Sequence, residues 1–165
     1  MLKDLAFGDV AQELSSTRRI LDRLPDEHLS WRPHEKSMTL GALATHVVNL
    51  LGWQTMILQQ AEFDLAATPP RREALGSRQE LLDEFDTRQR EVEELLNTVD
   101  EEALGGQWTL RSGDHVIFQR PRAVAMRVFG LSHLIHHRAQ LSVYLRLLDL
   151  PVPGLYGPSA DERQG

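Results

Sequence analysis

The fold is indicated most strongly by residues 132–148, a stretch near the carboxyl end that reads SHLIHHRAQLSVYLRLL. Its apolar residues recur every three or four positions, which is the spacing of an α-helix with one buried face. We expect this helix to begin near Pro121, because proline suits the first helical position, and to run to about Leu148, ahead of Pro151. It would be the fourth long helix of the chain.

Three earlier segments show the same periodicity and predict three more helices. Their expected ranges are Leu5–Leu24, Thr39–Glu62 and Ser77–Val99. Pro25 would stop the first helix, and the hydroxyl of Ser37 or Thr39 could cap the second. The third opens with the capping-box pattern Ser77-Arg78-Gln79-Glu80.

The connections complete a predicted bundle. Residues Phe63–Gly76 contain Pro69-Pro70 and are typical of a long crossover loop. Residues Gln107–Gln119 alternate in hydrophobicity around Ser112-Gly113-Asp114, as a short β-hairpin does. Four long helices, with one hairpin between the third and the fourth, predict an all-α four-helix bundle. At 165 residues the chain fits a single domain, residues 1–165.

The composition argues against several functions. The net charge is -6 and the basic residues are scattered, which disfavours binding to nucleic acid or to an anionic membrane. Cysteine is absent, so disulfides, a thiol nucleophile and thiolate metal ligands are excluded. The amino-terminal residues lack the features of a signal peptide, and the uncharged run Ser37–Ala61 is too polar for a membrane span. We therefore expect a cytoplasmic protein.

Two histidines of the fourth helix have the spacing of metal ligands. His133 and His137 are four residues apart, so their side chains leave one face of the helix with Cβ atoms roughly 5–6 Å apart. Two imidazoles at that spacing can bind one ion at metal–nitrogen distances of about 2.0–2.1 Å. Leu134 stands where the zinc-protease motif has a glutamate, which argues against that chemistry.

A third candidate ligand is His46, which shares an apolar stripe of the second helix with Leu50 and Trp53. A neutral imidazole buried there needs a partner for its acceptor nitrogen. One divalent transition-metal ion shared by His46, His133 and His137 would satisfy all three rings. The plain alternative is that each ring is a hydrogen-bonded core residue.

The remaining histidines and the tryptophans fit the site less well. His136 is rotated by about 100° from His137, so we expect it at the surface or beside the ligands. Three further histidines fall in loops or in the hairpin: His28, His34 and His115. The tryptophans are typical core or interface residues: Trp31, Trp53 and Trp108. Trp53 could also form a wall of the metal site.

The chain resembles a known family in three places. These are Leu40–His46 followed by Trp53, the stretch SHLIHHRAQLSVYLRLLDLPVP, and the terminal LYGPSADE. They are similar to the DinB-like superfamily of metal-binding proteins, most specifically from His133 to Gln140. The resemblance implies a four-helix bundle of up-down-down-up topology, a homodimer, and zinc or nickel bound by His46, His133 and His137.

The resemblance leaves several functions open. The better-understood members of the superfamily are S-transferases or isomerases that use low-molecular-weight thiols, which implies a metal-dependent enzyme acting on a small electrophilic substrate. A thiol cosubstrate would supply the nucleophile that this cysteine-free chain lacks. The alternatives are a non-catalytic, metal- or ligand-binding stress protein and a metal-dependent hydrolase. The hydrolase is disfavoured because Asn49, rather than an acid, follows His46 by one turn.

The second helix also predicts the dimer. Its span Ser37–Ala61 has no charged residue, and a second apolar face lies beyond the His46 stripe. The residues of that face are Leu40, Val47, Leu51 and Leu58. An exposed face of a small bundle normally carries charges, so we expect a partner subunit to cover this one. The alternative is that the hairpin or Leu155–Pro158 covers it within one chain.

Overall fold

The computed structural model describes residues 2–67 and 73–162. Its α-helices are α1 (Leu2–Phe7), α2 (Val10–Leu21), α3 (Leu40–Gln59), α4 (Arg78–Thr98), α5 (Glu101–Gly105), α6 (Arg122–Ala125) and α7 (His133–Leu147). A π-helix, Met126–Ser132, joins α6 to α7. The strands are β1 (Glu62–Asp64), β2 (Gln107–Ser112) and β3 (His115–Pro121). The described part of the chain is mostly helical, and none of its helices is long and apolar enough to cross a membrane.

Helix α3 runs through the core of the protein, which explains why it carries no charge. It packs against α4, the π-helix and α7, and twelve of its 20 residues are buried. The face expected to need a partner subunit is among them: Leu40, Val47, Leu51 and Leu58 are 0%, 0%, 0% and 8% exposed. The sequence-based argument for a dimer is therefore wrong on this point, because the chain buries that face by itself.

Side chains cap the two long central helices where the sequence predicts. The hydroxyl of Thr39 accepts from the amide of Ala42 at 3.2 Å, which fixes the start of α3. The hydroxyl of Ser77 accepts from the amide of Glu80 at 3.2 Å, and the Glu80 carboxylate accepts in return from the amide of Gly76 at 2.7 Å. Both caps satisfy backbone donors that have no partner inside the helix.

The predicted hairpin is confirmed, and it belongs to a larger sheet. Strand β2 pairs antiparallel with β3 and parallel with β1, in the order β1-β2-β3. The sequence predicted a different place for the residues of β1: Glu62 at the end of the second helix, and Phe63 and Asp64 in the crossover loop. Arg111 of β2 holds β1 through ion pairs of 2.6 Å to Asp64 and 3.0 Å to Glu62. The expected all-α fold thus contains a three-stranded sheet; Pro69-Pro70 of the loop lie outside the described residues.

The first and fourth predicted helices are each interrupted near a glycine. The first divides into α1 and α2 at Gly8, where a Cβ atom would lie 2.6 Å from the carbonyl oxygen of Asp4. The fourth divides into α6, the π-helix and α7. At Gly130 in the π-helix a Cβ atom would lie 2.7 Å from Cγ of Gln54, so the glycine lets α3 approach closely.

Candidate metal centre

Two helices bring the candidate ligands together. His46 lies in the second turn of α3, and His133 and His137 lie in the first turns of α7. Cross-helix contacts fix an antiparallel register: Tyr144 contacts Met38 near the start of α3, and Phe129 stacks on Trp53 near its end. The histidines lie between these two contacts, which places all three on the same seam.

The three imidazole rings meet at their Nε2 atoms. Nε2 of His133 lies 2.9 Å from Nε2 of His137 and 3.5 Å from Nε2 of His46. One nitrogen from each ring lies within 4.8 Å of the others, a group that could hold a metal ion. All three residues are partly buried.

These distances fit a shared ion. A divalent metal bound at about 2.0–2.1 Å, with angles between roughly 90° and 115°, separates its nitrogen ligands by about 2.9–3.5 Å. The two Nε2–Nε2 separations from His133 fall at the ends of that range. Three neutral imidazoles suit zinc, nickel, copper and iron, and they leave coordination positions free, as catalytic metal sites do.

Hydrogen bonds on the far sides of two rings orient them toward the cluster. Nδ1 of His137 lies 2.7 Å from Oε1 of Gln140, an acceptor, so Nδ1 carries the proton. The His133 ring bonds to the backbone of Phe129. Nε2 of His133 faces the other rings, so its Nδ1 lies on the far side of the ring. With the proton on Nδ1, both neutral rings turn an Nε2 lone pair toward the cluster, the arrangement that metal-binding histidines show.

The environment keeps the rings unprotonated. Burial, together with the neighbouring rings of His137 and His133, lowers the pKa of His46 to about 4. Burial is also the main cause of the lowered pKa of His133 and of His137; the bond to Gln140 partly opposes it at His137. A neutral imidazole has the free lone pair that a metal needs.

The other histidines lie outside the cluster, as expected. His136 is exposed, with its Nε2 3.3 Å from the amide nitrogen of Gln140, so it lies beside the ligands. Three further histidines lie in elements that contribute no ligand. His28 ends the short helical turn Asp26–His28, His34 lies in an exposed loop, and His115 begins β3. No carboxylate joins the cluster within the described ranges 2–67 and 73–162.

The tryptophans divide between the core and the seam. Trp108 is fully buried, as expected for a core residue. Trp53 is partly buried and lies on the seam with Phe129, at a ring distance of 6.1 Å. Trp31 meets Tyr144 edge to face at 5.6 Å. Trp53 and Trp31 thus lie on opposite sides of the histidines along the seam.

Sequence reasoning missed the residues that support the ligands. Gln140 follows His137 by three positions, a spacing that places the two side chains side by side on a helix, and this signal was available. The carbonyl of Phe129 was not predictable, because its position depends on the π-helix. π-Helical turns frequently occur at functional sites.

The fold and the cluster together define a helical protein with a candidate three-histidine metal centre. The family model of the DinB superfamily matches residues 10–141, and the chain belongs to that superfamily. The chain is also 27% identical to the protein YrdA of Bacillus subtilis over 157 residues, which is 91% of this chain and 85% of YrdA.

Solved structures show the same fold. A DinB-like protein from Bacillus cereus is 25% identical, with a TM-score of 0.67 over 92% of this chain and 95% of that one. The DinB-like protein YjoA of Bacillus subtilis has a TM-score of 0.71 at 14% identity, covering 97% of this chain and 99% of that one. A likeness at 14% identity concerns the fold alone.

Proposed function

We propose that His46, His133 and His137 bind one divalent transition-metal ion, zinc or nickel, and that the site activates a small thiol for transfer to an electrophile. The observation that carries the metal proposal is the 2.9 Å separation between Nε2 of His133 and Nε2 of His137. When each ring carries its proton on Nδ1, both Nε2 atoms present lone pairs. Two facing lone pairs repel each other unless a cation lies between them.

The chain contributes orientation and a neutral environment to this chemistry. A divalent ion bound there would lower the pKa of a coordinated thiol toward neutrality. Gln140 and the Phe129 carbonyl hold His137 and His133 in place before anything binds. The thiol proton would leave to solvent, because no carboxylate of the described residues joins the cluster. The sulfur then forms a bond to carbon, and the leaving group departs with its electron pair.

The absence of an acid at the cluster makes hydrolysis the weaker proposal. Water attack is usually assisted by a carboxylate base beside the metal, and no carboxylate of the described residues joins the cluster. Asn49 occupies the position one turn after His46, and an amide cannot act as that base. A thiol whose pKa is lowered by the metal needs no such base.

The proposal is tested by reacting a small thiol with chlorodinitrobenzene and following thioether absorbance. We expect metal-loaded protein to accelerate the reaction, chelator-treated protein to lose the effect, and added metal to restore it. His46→Ala should stay inactive after metal addition. Metal binding without acceleration for any thiol, neutral or charged, would instead support a non-catalytic binding protein.

We also propose the homodimer, through a different surface from the one the sequence suggested. An uncharged, exposed line of residues follows α6, the π-helix and α7: Val124, Val128, Ser132, His136, Ala139, Val143 and Leu147. The π-helix supports this continuity. Its one inserted residue rotates the residues that follow by about 100° around the helix axis, which brings the exposed apolar residues of α6 and of α7 into one line. An exposed apolar line of this length favours a partner, and two-fold association is the commonest form.

The up-down-down-up order of the four long helices is likewise a proposal. It is supported by the antiparallel seam between α3 and α7. The long connection between α3 and α4, residues 60–77, also has the length that a crossover between parallel helices needs.

A further inference from the structure

A cavity lies where α1, the start of α2 and the last turns of α4 meet. Its volume is about 450 Å³, within the range of about 300–1,000 Å³ that is typical of small-molecule sites. The lining comes from two segments, residues 3–11 and 93–97. Neither segment contains a histidine of the cluster, so the cavity is a second candidate site that does not depend on the metal.

Short side chains leave this space open, and apolar residues form part of its lining. Gly8 separates α1 from α2, and Ala11 lies in the first turn of α2, so neither fills the cavity. Phe7, Val10 and Leu96 also line it and are only 6%, 3% and 9% exposed. These three side chains offer an apolar surface to the body of a small ligand.

The polar part of the lining favours a positive charge. Its charged residues are Asp4, Glu93 and Lys3, so two carboxylates are present for one ammonium group. Glu93 is partly buried, and its carboxylate accepts from the amide of Gln89 at 2.8 Å. The last carbonyls of α4 add a partial negative charge, because the end of a helix leaves them without partners inside the helix.

Lys3 shows that this end of α4 accepts an ammonium group. Its Nζ donates to the carbonyl oxygen of Asn97, in the last turn of α4, at 3.3 Å. The usual length of such a bond is about 2.9–3.0 Å, so this contact is a weak one. The ammonium group of a ligand can therefore compete with Lys3 for the same acceptor.

Basic residues on the neighbouring elements are engaged in other contacts. Arg127 of the π-helix reaches α1, but it pairs with Asp9 at 2.8 Å. Arg18 of α2 and Arg90 of α4 both donate to Asp86, two turns before the part of α4 that lines the cavity. Helix α5, which contacts α1, has two glutamates in its first turn and no basic residue. The surroundings thus add no cation that would attract an anion into the cavity.

We infer that this cavity binds a small organic cation, an ammonium group carried on an apolar body. The ammonium group would lie between the Glu93 carboxylate and the carboxyl end of α4, in the place that Lys3 reaches. The apolar body would pack on the buried side chains of the lining. An anion of the same shape would meet two carboxylates instead and would bind more weakly.

A matched set of indoles tests the charge preference. Tryptamine carries an ammonium group, tryptophol has a hydroxyl in its place, and indoleacetate carries a carboxylate. Each is titrated into the isotope-labelled full-length protein, treated with a chelator so that no amine coordinates a metal, and backbone amide shifts are followed by NMR. We expect shifts at α1, the start of α2 and the end of α4.

Tryptamine should bind about fivefold more tightly than tryptophol, since a partly exposed contact between opposite charges has about that effect, and indoleacetate should bind most weakly. Equal affinities for the three compounds would overturn the inference. Shifts centred on another part of the protein, or no shift at millimolar concentrations, would overturn it as well.

Two charge variants test where the ammonium group lies. Glu93→Gln removes the carboxylate and should weaken tryptamine binding about threefold to fivefold, whereas Glu91→Gln removes the same charge from an exposed position outside the lining and should not. Lys3→Met removes the competing ammonium group and should strengthen tryptamine binding. Equal effects of the two glutamate variants would show general attraction to an acidic protein and contradict the site, as would weaker binding to Lys3→Met.

Filling the cavity should abolish binding whatever the charge of the ligand. Ala11→Phe introduces a ring from an exposed position of the lining, so tryptamine and tryptophol should both lose their affinity. Gln12→Phe introduces the same ring at the next exposed residue of α2, outside the lining, and should bind both compounds like the unmodified protein. Unchanged binding to Ala11→Phe would place the ligand elsewhere and refute the proposed site.

Discussion

The guanidinium of Arg138 and the carboxylate of Glu13 form an ion pair of 2.6 Å, with side-chain exposures of only 1% and 5%. The hydroxyl of Tyr156 accepts from Arg138 at 2.7 Å and donates to Glu13 at 2.9 Å. These contacts join α7, α2 and the segment that follows α7. Since Arg138 directly follows His137, one turn of α7 carries a candidate metal ligand on one face and a buried ion pair on the other.

Breaking this pair should destabilise the fold. Glu13→Gln leaves the Arg138 guanidinium buried without its counter-charge, so we expect the free energy of unfolding to fall by about 3–5 kcal/mol. Urea denaturation followed by circular dichroism measures the change. Tyr156→Phe is the matched control, because it removes one hydroxyl and should cost about 1–1.5 kcal/mol. A smaller loss for Glu13→Gln than for Tyr156→Phe would mean that the ion pair does not secure these helices.

Gln140 should matter for metal affinity although it is not a proposed ligand. Its side chain holds Nδ1 of His137 at 2.7 Å, so Gln140→Leu frees the ring to rotate. Loss of such a supporting group typically weakens metal binding by about 10–100-fold. Competition with a chromogenic chelator measures the affinity. Gln89→Leu, which removes a comparable helical contact to Glu93 on α4, should bind metal like the unmodified protein. Matching affinities for the two variants would exclude the orienting role.

The metal-free protein should lose stability as the pH falls from about 7 toward 4. In the folded state the pKa of His46 is about 4, whereas the unfolded chain takes up that proton near the ordinary value of 6.5. Protons therefore favour the unfolded state across this interval, and the penalty stops growing below the folded pKa. The pKa of His133 and that of His137 are lowered as well and act in the same direction.

Thermal melts of chelated protein at several pH values test this linkage. His46→Leu should flatten the decline in melting temperature between pH 6.5 and pH 4 relative to the unmodified protein, because the shifted proton site is gone. His28→Leu serves as the control, since His28 lies outside the cluster. An unchanged slope in His46→Leu would contradict a burial-lowered pKa.

The exposed line on α6 and α7 should control dimer formation. Val143 and Leu147 are 56% and 57% exposed, and glutamate at both positions adds charge to the line without disturbing the core. We expect sedimentation of the unmodified protein near twice 18.8 kDa and of Val143→Glu/Leu147→Glu near 18.8 kDa. Gln59→Glu should sediment with the unmodified protein. Leu51, proposed from the sequence as an interface residue, is 0% exposed, and Leu51→Glu would damage the core instead.

Local signals in the sequence predicted most of the helical framework. The Ser77 capping box, the start of α3 at Thr39 and the hairpin around Gly113 depend on neighbours in the chain, and all three are present. What sequence reasoning missed depends on distant partners. Strand β1 forms because Arg111 pairs with Glu62 and Asp64, and no short-range pattern contains that information.

The candidate site was more predictable than its surroundings. The interval of four residues between His133 and His137 follows from helix geometry, and the apolar stripe of His46 pointed toward the same seam. Gly130 of the π-helix lies close against Gln54 of α3, a contact that the sequence does not reveal. The buried face of α3 was misassigned to a partner because a fully enclosed helix and an interface helix share the same composition.

The central claim is that three histidines bind one metal ion, and metal content measures it directly. Elemental analysis of protein expressed without a histidine tag should give about one zinc or nickel per chain. His46→Ala, His133→Ala and His137→Ala should each lose most of it, whereas His28→Ala and His34→Ala should retain it. Full retention in any of the first three variants would remove that histidine from the site, and equal metal content in all five would contradict the three-histidine centre.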